Sequence, residues 1–359
     1  MMTHVIGAAV AYAALLAPAD QPAKVYTAGA IDKQIYTCYR SFWPELETTA
    51  AFKKLGINTR CFFAANTINS IGFEYCKYPP IWTGVKKYDF AAYDRQVDDL
   101  LSANPEAKFL CMIDLNTPYW LTRKFALDSF ADVSHAAADP QWLDITTQWM
   151  LDFIAYSEKK YGDKIAAYIL SGGGTSEWYE YDRGRSSRVK NTAWRRWCEQ
   201  RGLSLGESVP AETALCKAKH ENVVYDPATE PEKIRYWQFH NEVIGDAILH
   251  FAKAARKAIP NEKEIGVFFG YYMVSDNKLV SFGHLDYERV FASPDIDFFI
   301  SPGTYNDRMI GGGSGPQLVH GAALRYGKRY LHEIDHRTHT AVGGNSWKTQ
   351  AEDEAGLTR

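Results

Sequence analysis

Two glutamates, Glu177 and Glu333, stand where a carboxylate pair could act on one bond. Such a pair works when the two pKa values are driven apart. One group then keeps a proton to give to a departing oxygen, while the other stays ionised and attacks or assists from the far side. Glu177 follows a small-residue turn, Gly172-Gly173-Gly174-Thr175-Ser176, and precedes Trp178-Tyr179, whose apolar faces favour the protonated form. Glu333 lies in Tyr330-Leu331-His332-Glu333-Ile334-Asp335, where Arg308 or Arg337 nearby would favour the ionised form. An isolated glutamate is more often a solvated surface group, so the case rests on whether the fold brings the two together.

The same residues spell a rival motif. His332-Glu333-Ile334-Asp335-His336 reads HExxH, which on a helix places two histidines one turn apart around zinc. A helix is disfavoured locally, because Gly327 lies just upstream while Thr338, Thr340, Gly343 and Gly344 follow at once. Glu352 or Glu354 would be the third ligand of such a site. The glycine-rich 311–315 stretch lacks a following Lys-Ser/Thr, so it reads as a flexible rim and not as a phosphate cradle. Arg183, Arg185, Arg188 and Lys190 read as a solvated basic loop.

The elements that must hold these groups alternate. Short apolar runs at 34–38, 57–63, 108–113, 165–170, 265–269, 296–300 and 329–331 read as strands. Between them lie helical stretches at 44–55 and 90–101. A further stretch carries Trp142, Ile145, Trp149, Phe153 and Tyr156 on one face, and another spans 234–259. Strands separated by helices imply parallel pairing, and seven such units favour a (β/α)8 TIM barrel over a doubly wound sheet. Residues 39–43 contain no glycine, which argues against a dinucleotide-binding turn after the first strand. The polar segment 182–229 reads as an irregular surface insertion. The short stretch after Glu333 leaves no room for an eighth strand and helix, so the chain reads as C-terminally truncated.

In a barrel, reactive side chains sit just past the C-terminal ends of the strands. Those ends carry Arg40 and Trp43, Asn66, Asp114 and Asn116, Glu177, Tyr305 and Arg308, then Glu333, Asp335 and Arg337. Strands four and seven lie across the barrel, so Glu177 and Glu333 can share one cleft. A carboxyl separation of about 5–5.5 Å supports retaining glycoside hydrolysis.

Composition agrees with a large soluble core: 359 residues, 46% hydrophobic, 23% charged. The net charge of −3, with no basic run, disfavours nucleic acid as a partner. Aromatics reach 14%, with 10 Trp and 22 Tyr, and they suit either a packed core or a sugar platform. The six cysteines (38, 61, 76, 111, 198 and 216) show no CxxC spacing. Cys38, Cys61 and Cys111 sit in apolar runs and read as buried small hydrophobes. Residues 5–16 are apolar and precede Ala17-Pro18-Ala19, a pattern similar to a secretory signal over 1–19, which implies a secreted or periplasmic protein. That stretch is too short to span a bilayer.

Three stretches carry a family resemblance: 168–179 (Tyr-Ile-Leu-Ser-Gly-Gly-Gly-Thr-Ser-Glu-Trp-Tyr), 299–308 (Phe-Ile-Ser-Pro-Gly-Thr-Tyr-Asn-Asp-Arg) with 311–314 after it, and 327–339 (Gly-Lys-Arg-Tyr-Leu-His-Glu-Ile-Asp-His-Arg-Thr-His). Over about 34–359 the chain resembles the clan A glycoside hydrolases, and within them the family 42 β-galactosidase-like catalytic domain. The resemblance implies Glu177 as acid/base, Glu333 as nucleophile, Tyr305 as hydrogen-bond partner of Glu333, and Trp178 and Tyr179 among the rings of a sugar platform. It implies a carbohydrate partner, no cofactor or metal, and action on β-galactosides; homo-oligomerisation stays open. Another β-glycosidase such as a β-mannosidase, a non-catalytic carbohydrate-binding barrel and the zinc peptidase are the alternatives. One departure stands out: the family usually has Asn before the acid/base to bind the sugar 2-hydroxyl, and this chain has Ser176.

Overall fold

The computed structural model describes residues 38–41, 44–64, 76–125, 129–180, 185–211, 215, 225–272, 280–305, 315–335, 339 and 349–357. The chain opens with β1 (Cys38–Ser41), α1 (Leu46–Lys54), β2 (Thr59–Phe63), a hairpin of β3 (Trp82–Gly84) and β4 (Lys87–Tyr88), α2 (Phe90–Ala103) and β5 (Lys108–Asp114). Helices α3 (Tyr119–Phe125), α4 (Val133–Ala137) and α5 (Pro140–Tyr161) lead to β6 (Ile165–Ser171). Then follow α6 (Arg188–Gln200), α7 (Pro231–Ala258), β7 (Glu264–Phe268), α8 (Tyr287–Ala292), β8 (Phe298–Pro302), α9 (His320–Arg325), β9 (Arg329–Glu333) and α10 (Gln350–Leu357).

Apart from the hairpin, the strands form one sheet in chain order, β1-β2-β5-β6-β7-β8-β9, with every pair parallel. Laid flat, seven strands would hold β1 and β9 roughly 30 Å apart at about 4.8 Å per step. Instead Arg40 on β1 forms an ion pair with Glu333 on β9. The sheet therefore curls until its outer strands face each other, giving the (β/α)8-barrel architecture with seven of its strands among the described residues.

Strand alternation divides the side chains into two apolar layers. Cys61, Phe63, Leu110, Met112, Ala167, Ile169, Phe268, Phe298 and Ile300 fill the barrel interior. Their outward neighbours Phe62, Phe109, Cys111, Ile113, Tyr168, Leu170 and Phe299 pack against the helices. Gly266 makes room for this filling, since a Cβ there would fall 2.3 Å from the Phe298 ring. Arg40 and Glu333 are in phase with the inward residues Cys38 and Leu331, so both project inward.

The longer helices bury the faces their periodicity predicts. In α5, Asp139 accepts from Gln141 N–H and Pro140 opens the first turn, while Trp142, Trp149, Met150 and Phe153 are buried. The aromatic excess goes largely into this packing. Trp82, Trp142, Trp149, Trp178 and Trp194 are fully buried, and Trp82 stacks on Trp149 with ring centroids 5.4 Å apart.

Several expectations are corrected. The first strand is Cys38–Ser41, while residues 34–37 of the expected strand lie outside the described residues. The 182–229 segment is not wholly irregular, because it contains α6. Lys190, Trp194, Trp197 and Cys198 give α6 a buried stripe at helical spacing, and the surrounding arginines mask it in a polarity reading. Lys190, read as part of a solvated loop, is buried with its Nζ 2.8 Å from the Tyr236 hydroxyl. Cys61, Cys76, Cys111 and Cys198 are buried thiols and Cys38 is a half-buried one, while Cys216 lies outside the described residues. Residues 1–19 also lie outside them. No helix among the described residues is long and apolar enough to cross a membrane.

Candidate active site

The loop after β6 carries Glu177 on a backbone that most residues avoid. Gly173 has φ 69°, and Thr175, Ser176 and Trp178 take φ values of 54°, 64° and 61°. Left-handed conformations cost non-glycine residues of order 1–3 kcal/mol each, so the surroundings must impose them. Four contacts do so. The Asn116 carboxamide accepts from Gly173 N–H at 2.9 Å and donates to Gly173 O at 3.3 Å. Trp178 drives its indole into the core and donates to Leu170 O at 3.0 Å. Gly174 N–H donates to Tyr179 O at 2.8 Å, which closes the loop on itself. The His284 imidazole lies 3.0 Å from Glu177 O through Nε2 and accepts from Tyr271 N–H through Nδ1 at 3.2 Å. Glycine is required at 173 on two counts, since a Cβ there would also fall 2.8 Å from Trp178 Cα and from Val133 Cγ2.

Three elements then converge. Arg40, from the first barrel strand, donates to Glu333 at the end of the seventh and sits 3.8 Å from Glu177 beyond the fourth. Sharing one guanidinium puts the nearer oxygens of the two carboxylates within about 8 Å of each other, a bound that spans both the retaining spacing of about 5–5.5 Å and the wider inverting one. The side chains of Arg40, Glu177 and Glu333 are only 16%, 13% and 21% exposed. Burial, reinforced by the negative charge of Glu333, pushes the Glu177 carboxyl up to about 8 against the pull of Arg40. Burial opposes charge on Arg40, but Glu333 and then Glu177 outweigh it and hold the guanidinium protonated. The guanidinium also lies over the Phe268 ring, 4.6 Å from its centroid.

The other expected site residues divide. Asp335 is near enough for its charge to add to the rise at Glu177. The Tyr305 hydroxyl, expected to meet Glu333, donates to Asp335 at 2.8 Å on a half-exposed ring. Tyr179 is half-buried and packs edge-on against Tyr271 and Phe282, with centroids 5.3 and 4.7 Å away. Trp178 is not a sugar platform, because its ring is fully buried beneath Gly172. Asp114 and Asn116 are buried as well. Asp114 accepts from Asn116 N–H at 2.9 Å and is in phase with the inward residues Leu110 and Met112, while the Asn116 side chain is committed to Gly173 and supports the loop. Ser176 is buried too, so it does not present its hydroxyl in place of the family's Asn. Trp43, Asn66, Arg308 and Arg337 lie outside the described residues, as do 311–314 of the glycine-rich rim.

The zinc reading fails on secondary structure. Residues 329–333 form a strand, so His332 and Glu333 point to opposite faces. His332 Nδ1 lies 2.7 Å from the Tyr330 hydroxyl, on the face away from the barrel interior. His336 lies outside the described residues, and no cluster of three potential metal ligands occurs among them.

Two site residues escaped the sequence reading, Tyr271 and His284. Tyr271 falls two residues past the 265–269 run, a strand end that pattern alone could have flagged. His284 follows a glycine in a loop between elements, and no spacing rule singles it out.

The chain matches no protein-family model and no curated protein. Among solved structures it is similar to the β-galactosidase of the psychrophilic Marinomonas ef1, with 13% identity over 75% of this chain and 40% of that one and a TM-score of 0.46. It is also similar to the cold-adapted β-galactosidase of Rahnella sp. R3, with 12% identity, 75% and 39% coverage and a TM-score of 0.43. The endo-1,4-β-mannanase of Rhizomucor miehei gives 9% identity, 76% and 68% coverage and a TM-score of 0.42. The chain thus spans about two fifths of the length of the two β-galactosidases.

Proposed function

We propose that this chain is a glycoside hydrolase that cleaves β-glycosides with retention of configuration. The observation that carries this reading is the contact of one guanidinium, Arg40, with two half-buried carboxylates from opposite sides of a barrel. Glu177, kept protonated by burial, is the acid that gives its proton to the departing glycosidic oxygen. Glu333, paired with a cation that never loses its charge, is the nucleophile that attacks the anomeric carbon. The resulting glycosyl ester is then hydrolysed by water, with Glu177 now acting as base and recovering its proton. Partial burial of both carboxylates strengthens each electrostatic step. The sugar we infer is a β-galactoside, on the similarity of 299–308 and 327–339 to the family 42 pattern. Export is inferred from 1–19, and the mature protein should then begin at Asp20.

The test is turnover of a panel of nitrophenyl β-glycosides, followed by trapping with a 2-fluoro glycoside and peptide mapping. A stable adduct on Glu333, with the galactoside cleaved best, is the expected result. No turnover of any aryl glycoside overturns the reading, and the label on another residue overturns the assignment of the nucleophile.

A further inference from the structure

Behind Glu177 lies a phenol whose hydrogen bond is unmade. Tyr271 has no exposed surface, and its hydroxyl finds no hydrogen-bond partner among the described residues. Orphaned buried hydroxyls are costly and therefore rare. The ring is fixed on two sides, with Tyr179 edge-on at 5.3 Å and His284 edge-on at 4.9 Å. The same His284 joins Tyr271 N–H to Glu177 O, so the two residues are held in register by one imidazole. Burial pushes that imidazole down to about 3, which keeps it neutral with one donor and one acceptor nitrogen. The ionisable groups around the phenol are Glu177, Tyr179, Glu333 and Arg40.

Resting on the acid/base role given to Glu177 above, we propose that Tyr271 is a positioning residue for that group: its hydroxyl is the donor that meets the Glu177 carboxylate once the proton has left. In the resting site Glu177 is protonated and asks nothing of the phenol. As the glycosidic C–O bond breaks, the carboxyl proton passes to the leaving oxygen and a bare carboxylate appears in a buried setting. Tyr271 then donates a hydrogen bond and keeps its own proton, which burial and the adjoining Glu177 charge hold firmly in place. An interaction made only as charge develops lowers the barrier without tightening substrate binding.

The test is Tyr271→Phe, compared with wild type and with Glu177→Gln and Glu333→Gln on the same two substrates. One substrate is an alkyl glycoside, whose leaving group needs a proton; the other is a dinitrophenyl glycoside, whose leaving group does not. Tyr271→Phe should lower kcat on the alkyl glycoside by about tenfold or more, with KM nearly unchanged and the dinitrophenyl rate largely kept. The alkaline limb of its pH profile should move upward, because the carboxylate has lost a donor. Its melting temperature should hold or rise, since an unpaired hydroxyl has been removed. Equal losses on both substrates with a lowered melting temperature, or wild-type kinetics with an unmoved limb, would overturn the proposal. If wild type is inactive, or both carboxylate variants keep full turnover, the glycosidase reading itself fails, which is a distinguishable outcome.

Discussion

The Asn116 carboxamide holds both polar groups of Gly173, taking its N–H at 2.9 Å and giving to its carbonyl at 3.3 Å. These bonds tie the end of β5 to the strained loop that presents Glu177. Asn116→Ala should therefore cost about 1–3 kcal/mol of stability, read from urea denaturation. It should lower kcat more than it raises KM, because the loop loses its alignment. Unchanged kcat in a destabilised variant would show that the loop does not depend on this clamp.

Trp178 separates a structural from a sugar-binding role. Its ring is buried beneath Gly172 and its indole N–H is bonded to Leu170 O. Trp178→Ala should lose about 3–5 kcal/mol in chemical denaturation. A platform residue would instead raise KM and leave the denaturation midpoint in place.

The carboxylates should differ in what they tolerate. Glu177→Ala should suppress alkyl glycosides far more than activated aryl glycosides, and azide should restore turnover as a β-glycosyl azide. Glu333→Ala should lose nearly all activity on both, by a factor of about 10⁴ or more. Mild and equal losses would contradict the assignment.

Arg40 opposes the rise at Glu177, so removing it should push that carboxyl higher still. Wild type should show an alkaline limb of kcat/KM near 8, and Arg40→Met should shift that limb upward and cut turnover by about a hundredfold or more. Its ion pair with Glu333 is largely buried, and leaving one partner unpaired costs about 3–5 kcal/mol. A limb that stays in place would remove Arg40 from the electrostatics of the acid.

Glu177 also fixes the sign of a pH effect on stability. Its folded-state value of about 8 lies above the ordinary glutamate value of 4.5, so the native protein binds the proton more tightly than the unfolded chain. Its contribution is fully present below about 4.5 and is lost as pH climbs towards 8. Glu177→Gln should abolish that slope, so the melting-temperature gap between variant and wild type should widen in favour of the variant from pH 5 to pH 8. A gap that narrows over this interval would reverse the assigned direction.

The barrel was legible because period-2 apolar runs and period-3.6 helices are properties of local sequence. Runs such as Lys108–Asp114 and Ile165–Ser171 come within a residue of the expected bounds. Glu177 and Glu333 were legible for a related reason: a strand end is a place in the chain as well as in space. The direction of Trp178 was not, since it depends on four left-handed residues that only tertiary contacts impose. Asn116 looked like a cleft residue because an exposed amide and one committed to a distant peptide share the same sequence. The hydroxyl of Tyr305 turned to Asp335, a choice between two nearby carboxylates that spacing does not decide.

Arg40 belongs to the first and Glu333 to the last of the barrel strands among the described residues, so on the proposed function the contact that joins the two edges of this sheet is also its working part. A slight gaping there would part nucleophile from cation while every helix stayed intact. Turnover thus doubles as a gauge of circumference: under gentle denaturant it should fade before circular dichroism registers any change.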